Sequence, residues 1–71
     1  MNKDQIKGKW TQFTGTLKKD FGKLTDNDVK EVEGRVEVLA GKLQERYGLG
    51  KEEAARRANE WFDTQEKQET H

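Results

Sequence analysis

Shifted by 26 positions, the sequence lies over itself. Gly8-Lys-Trp10-Thr-Gln-Phe13-Thr-Gly15-Thr-Leu17-Lys-Lys-Asp-Phe21-Gly22 runs beside Gly34-Arg-Val36-Glu-Val-Leu39-Ala-Gly41-Lys-Leu43-Gln-Glu-Arg-Tyr47-Gly48. Gly8, Gly15, Leu17 and Gly22 recur as Gly34, Gly41, Leu43 and Gly48, while Trp10/Val36, Phe13/Leu39 and Phe21/Tyr47 match in kind. Each unit carries one apolar face that it cannot bury alone. Packing the two units against each other is the simplest way to cover both faces. The repeat therefore predicts two helical hairpins related by an approximate two-fold axis, joined into a small all-α, four-helix domain.

The apolar spacing supports this. Ile6, Trp10, Phe13, Leu17 and Phe21 follow one another at steps of three and four, the spacing of one helix face. With Asn2 as cap, Gln5 completing a capping box, and Gly22 suited to a left-handed C-terminal position, the first helix is predicted over about 3–21. Thr25 caps the next, and Asp26 and Asp28 lie at the positive end of its dipole. Val29, Val32, Val36, Leu39, Leu43 and Tyr47 then continue the pattern. Gly34 lies inside that run and divides it into a short helix, about 26–33, and a longer one, about 35–47, which Gly48 ends. Gly50 opens a last helix with Glu52 and Glu53 in its first turn; Leu49 and Ala54 form a hydrophobic staple, and Ala54, Ala58, Trp61 and Phe62 form its apolar face. No apolar residue follows Asp63, so the domain is expected to end near 63, with 64–71 a frayed polar tail. No segment alternates with period two.

Four glycines are out of keeping with this pattern. Gly8 and Gly15, and again Gly34 and Gly41, are one heptad apart on the side of the helix opposite the apolar stripe. Each costs up to about 1 kcal/mol relative to alanine within a helix. Three explanations fit. The bare backbone is where another helix or a partner comes close; the helices are weak by design and melt or reform with hydration; or some of these glycines mark helix ends. Gly8, Gly15, Gly34 and Gly41 are thus the candidate helix-approach or partner-contact face.

Composition excludes most chemistry. The 71 residues hold no Cys, no Pro and one His, and no Ser occurs. Disulfides, thiolate zinc sites and Ser–His or Cys–His nucleophiles are therefore out of reach. No apolar run is long enough to span a membrane, and no secretory leader is expected. Carboxylates are plentiful, but acid–base work needs a pair held in a cleft, and a core of about sixteen large apolar side chains leaves little room for one. Asp26, Asp28 and Glu33 lack the loop pattern of a calcium site. Trp10, Phe13 and Phe21 could stack on bases, but they share the spacing of Ile6 and Leu17 and read as core. No catalytic, cofactor or metal residue is assigned.

Charge is balanced, 14 basic against 14 acidic, but arranged in blocks. Residues 1–24 carry net +4, 25–33 net −3, 34–51 net +2 and 52–71 net −3. The blocks either attract one another in the fold, or the first helix offers a basic face to phosphates. A dedicated nucleic-acid binder is usually strongly basic overall.

Gly8-Lys-Trp10-Thr-Gln12-Phe-Thr-Gly15, Gly22-Lys23-Leu24-Thr25-Asp26-Asn-Asp28, Glu33-Gly34 and Gly41-Lys42-Leu43-Gln44-Glu-Arg46-Tyr47-Gly48 closely resemble the CsbD-like family, in particular its YjbJ-type branch. The resemblance runs from residue 1 to about 62. Arg35 stands where the family typically has Lys. The resemblance implies two α-hairpins in a SAM-domain-like arrangement and a cytoplasmic bacterial protein tied to general stress responses. It offers no catalytic or cofactor residue to carry over. The expected function is that of a small, non-enzymatic, hydrophilic protectant whose partner is unknown. The alternatives are a nucleic-acid-binding module using the basic first helix and, below it, weak homo-oligomerisation through the glycine faces.

Overall fold

Five α-helices make up most of the described residues, 3–67, of the computed structural model: α1 (Lys3–Gly8), α2 (Thr14–Asp20), α3 (Asp26–Val32), α4 (Val36–Tyr47) and α5 (Lys51–Lys67). One turn of 3-10 helix, Trp10–Gln12, lies between α1 and α2, and no strand occurs among the described residues. The fold is all-α, as expected, with one helix more than the repeat predicts.

The extra helix comes from a break in the first predicted rod. Lys9 leaves the helical region at φ −116°, ψ 29°. The chain then winds more tightly, Gln12 N–H donating to Lys9 O (2.9 Å) and Phe13 N–H to Trp10 O (2.8 Å). In a 3-10 turn, side chains three apart eclipse. Trp10 and Phe13 are thereby stacked, with ring centroids 6.3 Å apart and planes 19° from parallel. The Trp10 indole N–H also reaches across to donate to Val29 O at 2.6 Å. Thr11, Thr14 and Thr16 resist this break poorly, since β-branched side chains are weak helix formers, and the Thr14 hydroxyl donates to Thr11 O.

Local signals set the later helices. Thr25 and Asp28 form a reciprocal capping box: Asp28 N–H donates to Thr25 Oγ1 and Thr25 N–H to Asp28 Oδ2, both at 3.0 Å. Gly48 closes α4 in the left-handed region at φ 67° and donates its N–H to Gln44 O. Gly22, for which the same role was expected, keeps an ordinary backbone angle; Glu33 and Gly34 turn left-handed instead, at φ 50° and 77°. Gly34 thus occupies a turn between α3 and α4 and not a helix interior.

The core gathers Ile6, Leu17, Leu24, Val32, Leu39, Leu43 and Phe62, all with essentially no exposed surface, beside Trp10, Val29 and Trp61. α4 and α5 share the largest interface. Trp10 stacks on Phe62 (6.0 Å) and meets Trp61 edge-on (5.9 Å), so of the three aromatics at core spacing Trp10 is core, while Phe13 and Phe21 are half-buried and pack against the core. Phe21 and Tyr47, equivalent positions of the two units, pack edge-to-face at 6.0 Å. The unit-to-unit contact inferred from the repeat is made there by two repeat-related side chains.

The polar tail expected from Thr64 needs correction. α5 continues through Lys67, and Gln65 is buried. It extends the stripe of Ala58, Trp61 and Phe62 by a further turn, a place that a polar residue can hold when its amide is satisfied; no buried side-chain polar atom lacks a partner among the described residues. Residues 68–71, and the Asn2 cap, lie outside the described residues.

Candidate functional site

The four glycines do not form one face. Gly34 meets the backbone of α1: a Cβ built there would stand 2.5 Å from Lys7 Cα and 3.1 Å from Lys7 N. Close approach of a neighbouring helix, one of the three readings, therefore applies at Gly34. At Gly8, Gly15 and Gly41 an added Cβ meets nothing within 4 Å, so none of the described helices is in close contact with them there. Gly8 is the last residue of α1, which makes it a helix end; Gly15 and Gly41 lie inside α2 and α4.

Gly8 and Gly15 border open space of definite shape. Lys7, Gly8, Thr11 and Thr14 face Lys30 and Glu33 across a cleft of about 550 Å³ that Trp10 also lines. Thr14, Gly15 and Lys18 face Asp26, Val29 and Lys30 across a second of about 320 Å³. Because Thr14 and Lys30 belong to both, the two clefts run together as one trough. Positions 7, 8, 11, 14, 15 and 18 repeat at helical intervals, and 26, 30 and 33 do the same on α3 and its end. The Trp10–Val29 hydrogen bond ties the two walls together. Gly41 borders a separate hollow of about 390 Å³ between α4 and α5, beside Val36, Ala40, Gln44 and Ala55.

The trough's acids are engaged. Asp26 pairs with Lys18 at 3.3 Å and Glu33 with Arg35 at 3.8 Å. Lys7 and Lys30 form no ion pair among the described residues.

The most perturbed acid is elsewhere. Asp28, buried at the start of α3, accepts from Arg46 Nε (2.7 Å) and Nη2 (3.2 Å) of α4 and from Thr25 N–H, and Lys42 Nζ lies 3.5 Å away. The Arg46 hydrogen bonds, then that from Thr25, hold its carboxyl well below the usual carboxylate range. Lys42 also bonds Glu31, which raises the lysine. This cluster clamps α3 to α4, and a carboxylate held ionised by an arginine is a poor proton acceptor. Asp26, Asp28 and Glu33 each face a different cation, and no group of three or more potential metal ligands is brought together among the described residues.

Sequence reasoning found Gly8 and Gly15 but not the wall opposite them, and it placed Asp28 at the positive end of a helix dipole without its partner Arg46. Nothing local marks a partner 18 residues away.

The family model for CsbD-like proteins matches residues 4–56, a span holding both walls of the trough and the Asp28–Arg46 pair. The chain belongs to the CsbD-like family. Among the relatives of this CsbD-like chain, UPF0337 protein pc0632 of Protochlamydia amoebophila is 51% identical over 67 residues, covering 94% of this chain and 97% of that one. UPF0337 protein PA4738 of Pseudomonas aeruginosa is 51% identical over 63 residues, 89% and 97% of the two chains. UPF0337 protein YjbJ of Escherichia coli is 48% identical over 61 residues, 86% and 88%. No solved structure matches the chain. Among the described residues, no helix is long and apolar enough to cross a membrane.

Proposed function

We propose that this CsbD-like chain is a small, non-enzymatic stress-response protein of the bacterial cytoplasm, acting as a hydrophilic protectant through weak, general contacts. One observation supports this above others: no large hydrophobic side chain is exposed among the described residues, while 39% of the sequence is charged. Such a surface holds water and offers many shallow polar contacts but no dominant apolar patch to select one partner. The shifted ionisable groups fit the same reading, since they serve helix-to-helix and within-helix ion pairs.

The test is retention of activity by an unrelated enzyme through drying or freeze–thaw. At equimolar chain, several-fold more activity should survive than in buffer. Survival no better than with an equal mass of an inert globular protein would refute the reading.

The nucleic-acid alternative relied on one basic rod. The rod is broken at Lys9, so its lysines no longer share one helix axis. What still favours this alternative is that Lys7 and Lys30 lack acidic partners. It requires salt-dependent association with DNA or RNA, and a flat response across ionic strength removes it.

A further inference from the structure

We propose that the trough between the first segment and α3 is a binding site for an organic phosphate. Lys7 and Lys30 would hold the phosphate, and the Trp10 ring with the Thr11 and Thr14 side chains would line the space for its organic part.

Three observations converge. The larger cleft, at about 550 Å³, lies within the range of roughly 300–1,000 Å³ typical of small-ligand sites. Trp10, largely buried, borders it and is held in place, because its indole N–H is committed to Val29 O. The trough's two uncommitted charges are both ammonium groups, one from each wall, while the carboxylates among its lining residues, Asp26 and Glu33, are paired with Lys18 and Arg35. An anion entering the trough would therefore meet positive charge from both sides. A phosphate monoester, with three acceptor oxygens and about −1.5 to −2 charge at neutral pH, offers the two lysines more acceptors and more charge than a single carboxylate does.

The backbone contact at Gly34 contributes to the same geometry. It seats α1 against the α3–α4 turn at Lys7 itself, which fixes one wall relative to the other. Gly8 and Gly15 border the trough without adding a side chain to it, and a Cβ at either would meet nothing within 4 Å.

The test follows amide shifts of the intact chain with inorganic phosphate, adenosine monophosphate, adenosine and a short oligothymidylate. Adenosine monophosphate should give saturable shifts at Gly8, Thr11, Thr14 and Lys30, with a dissociation constant on the order of 0.1–1 mM. Adenosine should bind at least tenfold more weakly. Combining Lys7→Gln with Lys30→Gln should weaken binding about tenfold or more. Both side chains are exposed and outside the ion pairs, and an unchanged circular dichroism spectrum would verify the fold. Gly8→Leu, which fills the trough from an open position, should abolish the shifts. Binding to the oligonucleotide that is tighter than to the mononucleotide and falls steeply with salt assigns the phosphate to a polymer; equal or tighter mononucleotide binding assigns it to a free metabolite. Inorganic phosphate binding as well as the mononucleotide, no saturable shift with either, or undiminished affinity in the double variant overturns the proposal. The outcome is independent of the protection assay, so either reading can fail alone.

Discussion

The two repeat units begin with similar residues and fold differently, and the difference lies in what each position touches. In the second unit the apolar positions carry Val36 and Leu39, and one helix of 12 residues runs unbroken from Val36 to Tyr47. In the first they carry Trp10 and Phe13, and the same stretch becomes a 3-10 turn followed by a helix of 7 residues. The glycines diverge in the same way. Gly34 is pressed against Lys7 in a left-handed turn, whereas its counterpart Gly8 ends a helix in open space. A repeat in sequence therefore specifies two amphipathic segments, but packing decides the work of each residue. The asymmetry accompanies the trough: the first unit meets α3 and its end through the Trp10–Val29 hydrogen bond, the Lys18–Asp26 pair and the Lys7–Gly34 backbone contact, and open space remains beside Gly8 and Gly15.

The largest expected effect tests the glycine contrast. Gly34→Ala places a Cβ in a left-handed backbone, at about 1–2 kcal/mol, and drives it into the α1 backbone, at about 1–3 kcal/mol more. The sum, about 2–5 kcal/mol, is comparable with the whole stability of a domain this size, roughly 3–5 kcal/mol. Gly8→Ala should change stability by less than about 1 kcal/mol. Urea unfolding followed by circular dichroism compares them, and similar costs for the two would erase the contrast.

The aromatic contrast comes next. Trp10→Val copies the second unit into the first. It removes the stack on Phe62, the edge contact with Trp61 and the donor to Val29 O, and should cost about 3 kcal/mol. Val36→Ala, at a half-buried site, should cost about 1 kcal/mol. A Trp10→Val chain as stable as the parent would mean that the 3-10 turn arises from the threonines and not from the indole.

The helix starts offer a third contrast, between α3 with its capping box and clamp and α5, which follows Gly50. Asp28→Ala should cost about 2 kcal/mol, in the range for charge-assisted hydrogen bonds. Its pH dependence has a definite sign. The carboxyl is depressed in the fold relative to its ordinary value of 3.8, so its contribution is full above that value and is lost as pH falls below it. Stability of the parent should hold from neutral pH to about pH 5 and then fall, and Asp28→Ala should flatten that acid limb. An identical limb in both chains would place the acid sensitivity elsewhere.

How much of this was legible in sequence follows from how far apart the causes lie. The starts of α3 and α5 and the end of α4 could be read because Thr25, Asp28, Gly48 and Gly50 act on their own neighbours. The break in the first rod could not: the indole's acceptor is 19 residues away, and periodicity alone scores a 3-10 turn and an α-turn nearly alike over so short a run. Gln65 was misread because polarity was taken for exposure, although its spacing from Ala58 and Phe62 continues the buried face. For the candidate site, Gly8 and Gly15 were visible as a costly stripe. The opposing Lys30, and the commitment of Asp26 and Glu33 to other cations, depend on the placement of α3, which no local pattern contains.

The smallest effect concerns the two glycines that remain inside helices. Gly15 and Gly41 are exposed, and an added methyl at either meets nothing. Gly15→Ala and Gly41→Ala should each raise stability by about 0.5–1 kcal/mol, through helix propensity and a less flexible unfolded chain. The two should differ in consequence. Gly15 borders the trough and Gly41 the α4–α5 hollow, so if the trough is used, stabilisation at 15 should weaken mononucleotide binding while stabilisation at 41 leaves it unchanged. Equal gains in stability with equal loss of binding would mean that helix stiffness and not trough space governs binding. A loss of stability at 15 would show that its backbone needs the freedom of glycine, despite the open space around it.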